Sequence, residues 1–533
     1  ARIAEAQLSK YGATRTDLPA PDPGYVLVVD QTRDDASVRA SRADRARFLE
    51  MLTVARQAHP GTRILIRTHP ETAQGLRPGH FRDGDLAPGL AFHDAPLAPK
   101  ALLDGAVAVY TVSSQMGFEA ILSGHRPHVF GTPFYAGWGL TEDRVALPRR
   151  GRALTRTQLF AGAMLRYPLW YDPCRDRLCP LEDTLAAFEA QVRAWREDRQ
   201  GWVASGMRLW KRPSIQGFFG TERRVRFAEP PRADRIAQRD GRRRMGWGTA
   251  PDAACVEDGF LRSRGLGARL VPPVSLVCDD LGIYYDPAHP SRLEHWIAAR
   301  TDLRLDQIER IDTLMGRICA SGVSKYNLSG DLPALPSGHL ILVPGQVDDD
   351  RSVRLGSRGL SNATLLERVR AENPDAIILW KPHPDVDAGL RPGRVDRPER
   401  WADATLTDVP IAPLLEAVDE VWTLTSLAGF EALLRRRPVT TLGVPFYAGW
   451  GLTRDKGPVP ARRLAGPRPT LQGLVHATLI DYPRYRDPVS GLPCPVEVAL
   501  ERLASGAGMP RGPANRVLAR LQGLLASQAH LWR

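Results

Sequence analysis

The chain has 533 residues, 43% of them hydrophobic and 25% charged, the balance of a soluble globular protein with room for three or four cored domains. No run of about 18 apolar residues occurs, which excludes a bilayer-spanning helix, and the polar opening ARIAEAQLSKYG does not read as a secretory signal. The net charge of +12 narrows the partners to nucleic acid, an anionic membrane face or a negatively charged small substrate. The arginines are spread out without a nucleic-acid motif, so no nucleic acid is expected.

In chain order, most elements occur twice. RIAEAQLSKY (2–11) aligns with RICASGVSKY (317–326), each read as the end of an amphipathic helix. A strand and turn follow, YVLVVDQTRDDASV (25–38) against LILVPGQVDDDRSV (340–353). Each is an apolar run that breaks into Gln and carboxylates, as a buried parallel strand does at its C-terminal end. Helices FLEMLTVARQAH and ATLLERVRAEN lead to second strands that enter a His-Pro, RILIRTHPE (63–71) and AIILWKPHPD (376–385). Thr111–Asp143 and Thr423–Asp455 then share 18 of 33 positions without a gap, PFYAGWGLT among them. Both copies close with a helical segment and DPCRDRLCPLE (172–182) or DPVSGLPCPVE (487–497). Local propensity does not produce identity of this length, so the unit is duplicated. Alternating strands and helices predict an α/β fold built from doubly wound parallel sheets.

The predicted domains are a half-module at 1–195, a lobe at 201–316 with no counterpart ahead of the first copy, the second copy at 317–500, and a helical tail at 501–533. Residue 1 aligns near Gly316, in mid-helix, so the chain reads as N-terminally truncated. The extra lobe carries VEDGFLRSRGLG (256–267), with Glu257 and Asp258 before a glycine, and PPVSLVCDDLGIYYD (272–286) with Asp279 and Asp280. Ser291 and Glu294 open a helix as a capping pair. The six cysteines, at 174, 179, 255, 278, 319 and 494, are too scattered for a disulfide framework or zinc cluster and suit a reducing, cytoplasmic setting.

Three constellations carry chemistry. In Lys381-Pro-His383-Pro and Arg67-Thr-His69-Pro, strand alternation predicts that the cation and the imidazole share a face and make a site for phosphate or carboxylate. In TLTSLAGFEA (423–432) and TVSSQMGFEA (111–120), a strand ends in hydroxyls and a helix begins. Such an end binds phosphate through free N–H groups and the dipole, with Thr425 and Ser426 as donors, Gly429 for close approach and Glu431 for ribose hydroxyls. Asp349 and Asp350, like Asp34 and Asp35, lie where strand ends face a cleft in doubly wound folds, and Glu257 and Asp258 lie on the other lobe. Acids across a cleft suit sugar chemistry; the same residues also serve as solvated turn formers.

EDGF (257–260), GIYYD (282–286), KPHPD (381–385) and FYAGWGLT (134–141 and 446–453) resemble the KpsC-like capsule polysaccharide β-Kdo transferases over nearly the whole chain. That resemblance implies tandem GT-B-type glycosyltransferase modules, the first incomplete here, with an acceptor-side lobe at 201–316 and a nucleotide-sugar-binding lobe at 317–500. It implies Kdo transfer from CMP-β-Kdo to a phosphatidylglycerol-linked oligo-Kdo acceptor, on the cytoplasmic face of the inner membrane, beside the capsule assembly and export machinery. No metal or cofactor is expected beyond the donor. By resemblance, Glu257 and Asp258 supply a carboxylate near the acceptor. Asp350, ahead of Asp349, is the nucleophile in the QxxDDxS stretch, whose Gln346 binds substrate. His383, Lys381, Thr425 and Ser426 hold the CMP phosphate and Glu431 the ribose. The first-copy equivalents are Asp35, Arg67, His69, Ser113, Ser114 and Glu119. A non-catalytic export or scaffold protein, and a transferase for another CMP-sugar of the sialic acid type, remain alternatives.

Overall fold

Every residue of Tyr25–Val29 and of Leu340–Pro344 is buried, and burial on both faces is what places a strand at the centre of a parallel sheet. The computed structural model describes residues 1–248, 252–264, 271–325, 327, 330–389 and 391–508. The chain divides into two compact units, Ala1–Arg196 and Glu197–Arg533. Helix Val496–Ser505 holds the start of the predicted tail; residues 509–533 lie outside the described residues.

In the first unit, β1 (Tyr25–Val29), β2 (Ile64–Arg67), β3 (Leu90–His93), β4 (Ala106–Thr111), β5 (His128–Val129) and β6 (Glu142–Asp143) form one parallel sheet in the order 3-2-1-4-5-6. Helix Arg45–Ala58 packs Phe48 and Met51 on Val26, Val28 and Ile66. On the other face, Leu102 and Leu103 of helix Pro99–Gly105 meet Tyr25, Leu27 and Val29. The sheet is therefore doubly wound, with its switch point between β1 and β4. A hairpin of β7 (Trp170–Asp172) and β8 (Arg177–Cys179) stands apart from it.

The second unit has two lobes. The first lobe contains β9 (Trp202–Ser205), β10 (Arg226–Phe227), β11 (Arg243–Trp247), β12 (Ala254–Asp258) and β13 (Ser275–Asp279). The other repeats the architecture of the first unit with β14 (Leu340–Pro344), β15 (Ile377–Lys381), β16 (Ala404–Thr405), β17 (Glu420–Thr423), β18 (Val439–Thr441) and β19 (Arg454–Asp455), in the order 16-15-14-17-18-19. Two doubly wound lobes of matching topology and a facing lobe give the GT-B-type arrangement that the motifs imply.

Two features differ from the sequence reading. The first-lobe sheet runs 10-9-11-12-13-20-21 and is parallel only as far as β12; β13, β20 (Arg484–Arg486) and β21 (Pro493–Cys494) pair antiparallel. The chain thus leaves the predicted 317–500 lobe and returns to the other. Arg484 fixes that return: it is buried and donates to Asp198 at 2.7 and 2.8 Å. A three-residue strand reading Arg-Tyr-Arg has no periodicity to announce it. The second difference is that Ser324 and Lys325 are not helical. Helix Leu305–Ser321 stops at Gly322, which is left-handed at φ 62°, and Ser324 and Lys325 follow in a loop.

Three of the motifs meet in one aromatic cluster. Phe260 of EDGF lies 4.9 Å from Tyr284 of GIYYD and 4.9 Å from Phe446 of FYAGWGLT. Phe446 is 4% exposed and Tyr482 2%, whereas their first-copy counterparts Phe134 and Tyr167 are 49% and 90% exposed.

Candidate functional site

At the switch point of the second lobe, Gln346 follows β14 and spans to the end of β17. Its Oε1 accepts from the Thr425 amide at 2.9 Å and its Nε2 donates to the Thr425 hydroxyl at 2.9 Å. Gln31 does the same with Ser113, accepting from its amide at 2.9 Å and donating to its hydroxyl at 3.2 Å. Gln346, Thr425 and Ser113, expected to meet substrate, are used with Gln31 to fix the gap between two strand ends.

Ser426 caps helix Leu427–Leu434 by accepting from the Ala428 amide at 3.2 Å, and Ser114 accepts from Met116 at 3.3 Å. The expected role of Gly429 is corrected. A Cβ there would stand 2.2 Å from the Tyr447 hydroxyl, and one at Gly117 would stand 2.3 Å from that of Tyr135. The glycine makes room for the tyrosine of PFYAGWG, not for a ligand. That tyrosine in turn donates to the Ser426 carbonyl, so helix start and motif are locked together.

His383 and His69 each cap a short helix and accept on Nδ1 from the backbone two residues on, Asp385 at 3.1 Å and Glu71 at 3.2 Å. In a neutral ring the proton then sits on Nε2. Burial pulls His383 below the ordinary histidine pKa; Asp385 opposes this and Lys325 adds to the drop. Nε2 of His69 lies 3.3 Å from the Tyr11 hydroxyl.

The expected cation–imidazole pair is not formed as drawn. Arg67 donates to the carbonyls of Ala95 at 2.5 Å and His93 at 3.2 Å, and the charges felt by buried Lys381 are Asp387 and Asp408. Strands β2 and β15 end at the cation, and the histidine two residues later has already entered the cap, so strand alternation no longer relates them. The cations that act on His383 are Lys325 and Arg391.

Among the carboxylates, Asp350 caps helix Arg351–Gly356, accepting from the Ser352 amide at 2.9 Å and hydroxyl at 2.7 Å. Asp35 accepts from Ser37 at 2.7 and 2.6 Å. Asp349 instead pairs with Arg391 at 2.5 Å. On the facing lobe Asp258 is held at 2.7 Å by Arg262, itself 1% exposed. Burial raises the Glu257 pKa and Asp258 raises it further, while Lys211 and Lys325 oppose.

These groups share one electrostatic neighbourhood. Burial raises the Tyr284 phenol, and the charges of Glu257, Asp350 and Asp258 all add to it. Lys325 acts on Glu257, His383 and Glu431. Glu431, expected at a ribose, is buried and accepts the Lys325 amide at 2.9 Å. Ser263 donates its amide to the Lys325 carbonyl at 3.2 Å, so Lys325 sits where the two lobes join. Among the described residues no three His, Cys, Asp or Glu side chains converge as metal ligands.

Sequence reasoning passed over Lys325, Lys211 and Tyr284 as site residues. For Lys325 the signal was present in the duplicated Ser-Lys-Tyr, taken as helix end. Lys211 lies in a 3-10 turn, Leu209–Lys211, with no repeat to mark it.

A family profile described as capsule polysaccharide biosynthesis protein matches residues 2–170, 250–331 and 335–485. The capsule polysaccharide modification protein LipA of Neisseria meningitidis serogroup B is 36% identical over 98% of this chain and 79% of its own. The lipopolysaccharide-processing protein LpsZ of Rhizobium meliloti is 42% identical over 50% of this chain and 62% of its own. Among solved structures, Thermosulfurimonas dismutans KpsC, a β-Kdo 2,7 transferase, is 33% identical, covering 57% of this chain and 98% of that one with a TM-score of 0.48.

Proposed function

Because this chain belongs to the capsule polysaccharide biosynthesis family, we propose that its second unit is a glycosyltransferase that moves Kdo from CMP-β-Kdo to a lipid-linked Kdo acceptor. The observation that carries this reading is that the charges of Glu257 and Asp258 from one lobe and of Asp350 from the other all act on Tyr284, while Lys325 acts on both Glu257 and His383. In the proposed reaction the bond from the anomeric carbon to the CMP phosphate oxygen breaks. CMP leaves, the acceptor hydroxyl oxygen takes its place, and the hydroxyl proton passes to a carboxylate. Glu257, with its raised pKa, is the proposed proton carrier, and Asp350, oriented by Ser352, the proposed nucleophile of a two-step transfer. The Nε2–H of His383 and the start of helix Leu427–Leu434 stabilise the leaving phosphate. Lys325 and Lys211 offset the carboxylate of the acidic sugar. The first unit, through His69, Asp35 and Lys10, is proposed to bind nucleotide.

No helix among the described residues is long and apolar enough to cross a membrane, and the proposed acceptor lipid sets the reaction at the inner face of the inner membrane. The test is release of CMP from CMP-Kdo with and without a Kdo-primed lipid. Asp350→Ala and His383→Ala are each expected to lose at least about a hundredfold in turnover. Losses under about tenfold from both would remove the assignment.

A further inference from the structure

The first lobe of the second unit carries a groove of about 1250 Å³, away from the β14–β19 sheet, between the turn Leu209–Lys211, strand β10 and helix Arg232–Asp240. Arg224, Arg226, Arg232 and Arg235 line it together with Arg212 and Arg239. The acids of the same helix are already engaged: Asp240 pairs with Arg239 at 2.8 Å and Asp234 with Arg244 at 2.7 Å. Among the described residues no carboxylate pairs with Arg224, Arg226, Arg232 or Arg235, and all four are exposed. The groove has an apolar component as well, from Val225, Phe227 and Ile236. At its mouth Leu209 stands 75% exposed beside Trp210.

We propose that this groove is a docking surface for anionic phospholipid headgroups of a bilayer. Charge complementarity selects the partner: four unpaired guanidiniums on one concave face need several fixed phosphates. An exposed Leu beside a Trp, flanked by those cations, fits the boundary between headgroups and acyl chains, where an apolar tip is buried and the charges stay with the lipid phosphates. A nucleic-acid groove would instead offer aromatic faces for stacking, and here Phe227 is covered by Arg212, 5.1 Å from its ring centre. The same turn that presents Leu209 outward places Lys211 among the charges of Glu257 and Asp258. A bilayer seated on this groove therefore lies against the lobe that carries Glu257 and Asp258, the acids proposed to meet a lipid-borne acceptor. This surface does not depend on which sugar is transferred.

The experiment is co-sedimentation of the full chain with phosphatidylcholine vesicles, with and without about one third phosphatidylglycerol, at about 0.15 M salt. Binding is expected only with the anionic lipid, and R224Q/R226Q/R232Q/R235Q should weaken it at least about thirtyfold, on the order of a few-fold for each arginine. The matching quadruple lysine variant should retain most of the binding, and Leu209→Asp should weaken it about tenfold. Release of CMP from soluble CMP-Kdo should be the same in wild type and in all three variants, which separates this surface from the transfer reaction and reports on folding. Equal binding to both vesicle types, undiminished binding by the glutamine variant, or a polyuridine competitor that displaces wild type from the vesicles would each overturn the proposal.

Discussion

Glu119 sits one turn into helix Met116–Leu122, where burial raises its pKa from 4.5 to about 7 against the opposing amide and charge of Lys10. The folded unit therefore holds this proton more tightly than the unfolded chain does. The stability linked to it is complete below about pH 4.5 and is lost as pH rises through about 7. A displacement of that size corresponds to roughly 3 kcal/mol at 1.36 kcal/mol per pH unit, reduced to roughly 1–3 kcal/mol because the side chain keeps some solvent. Glu119→Gln removes the titration while keeping an oxygen for the Lys10 amide. Urea unfolding followed by hydrogen exchange within Ala1–Arg196 should find the variant about 1–3 kcal/mol more stable than wild type at pH 8. At pH 4 the two should agree within about 0.5 kcal/mol. Asp30, raised by burial to about 6, contributes to the pH dependence of both proteins, so only their difference reports on Glu119. An unchanged pH dependence in the variant would refute the burial of the Glu119 carboxyl as the cause of its raised pKa. An effect confined to nucleotide affinity would restore Glu119 to the ribose.

Gly429→Ala drives a methyl against Tyr447 and should cost about 1–3 kcal/mol in unfolding free energy, with CMP affinity retained once the protein is folded; a loss of affinity at unchanged stability would return the glycine to a ligand role. Glu257→Gln should lower turnover at least about a hundredfold and remove one limb of the pH–rate profile near neutrality, where the raised pKa places it. Asp258→Asn leaves Arg262 buried without its counter-charge and should cost about 3–5 kcal/mol, seen as a lowered urea midpoint; a variant of normal stability would remove the structural role. Lys325→Met should raise KM for CMP-Kdo about tenfold with kcat less affected, measured by initial rates, if this lysine reads the acidic sugar.

The repeat makes half of this architecture legible in the sequence. A buried apolar run ending in Gln and carboxylates, met twice at matching spacing, is enough to place β1 and β14 at the centre of two sheets of one topology, because only a strand covered on both faces is apolar throughout. The helix start at Ser426 was equally readable, since it is local; the His-Pro and Asp-x-Ser caps are just as local, each side chain bonding the backbone two residues on, but those residues read as ligand groups and not as caps.

What depended on distant residues was not readable. Gly429 looked like a gap for a ligand until Tyr447, eighteen residues later, was found to fill it. Lys381 looked like the neighbour of His383 until Lys325, which arrives from the junction of the lobes, took that place. The sequence by itself determined the central strands of the two repeated sheets and the helix that starts after the Thr-x-Ser-Ser or Thr-x-Thr-Ser turn, because periodicity and local turn chemistry are decided within a few residues. Only the tertiary structure decided which charges face one another across the lobes, because burial and electrostatic proximity belong to pairs that the chain order keeps tens or hundreds of residues apart.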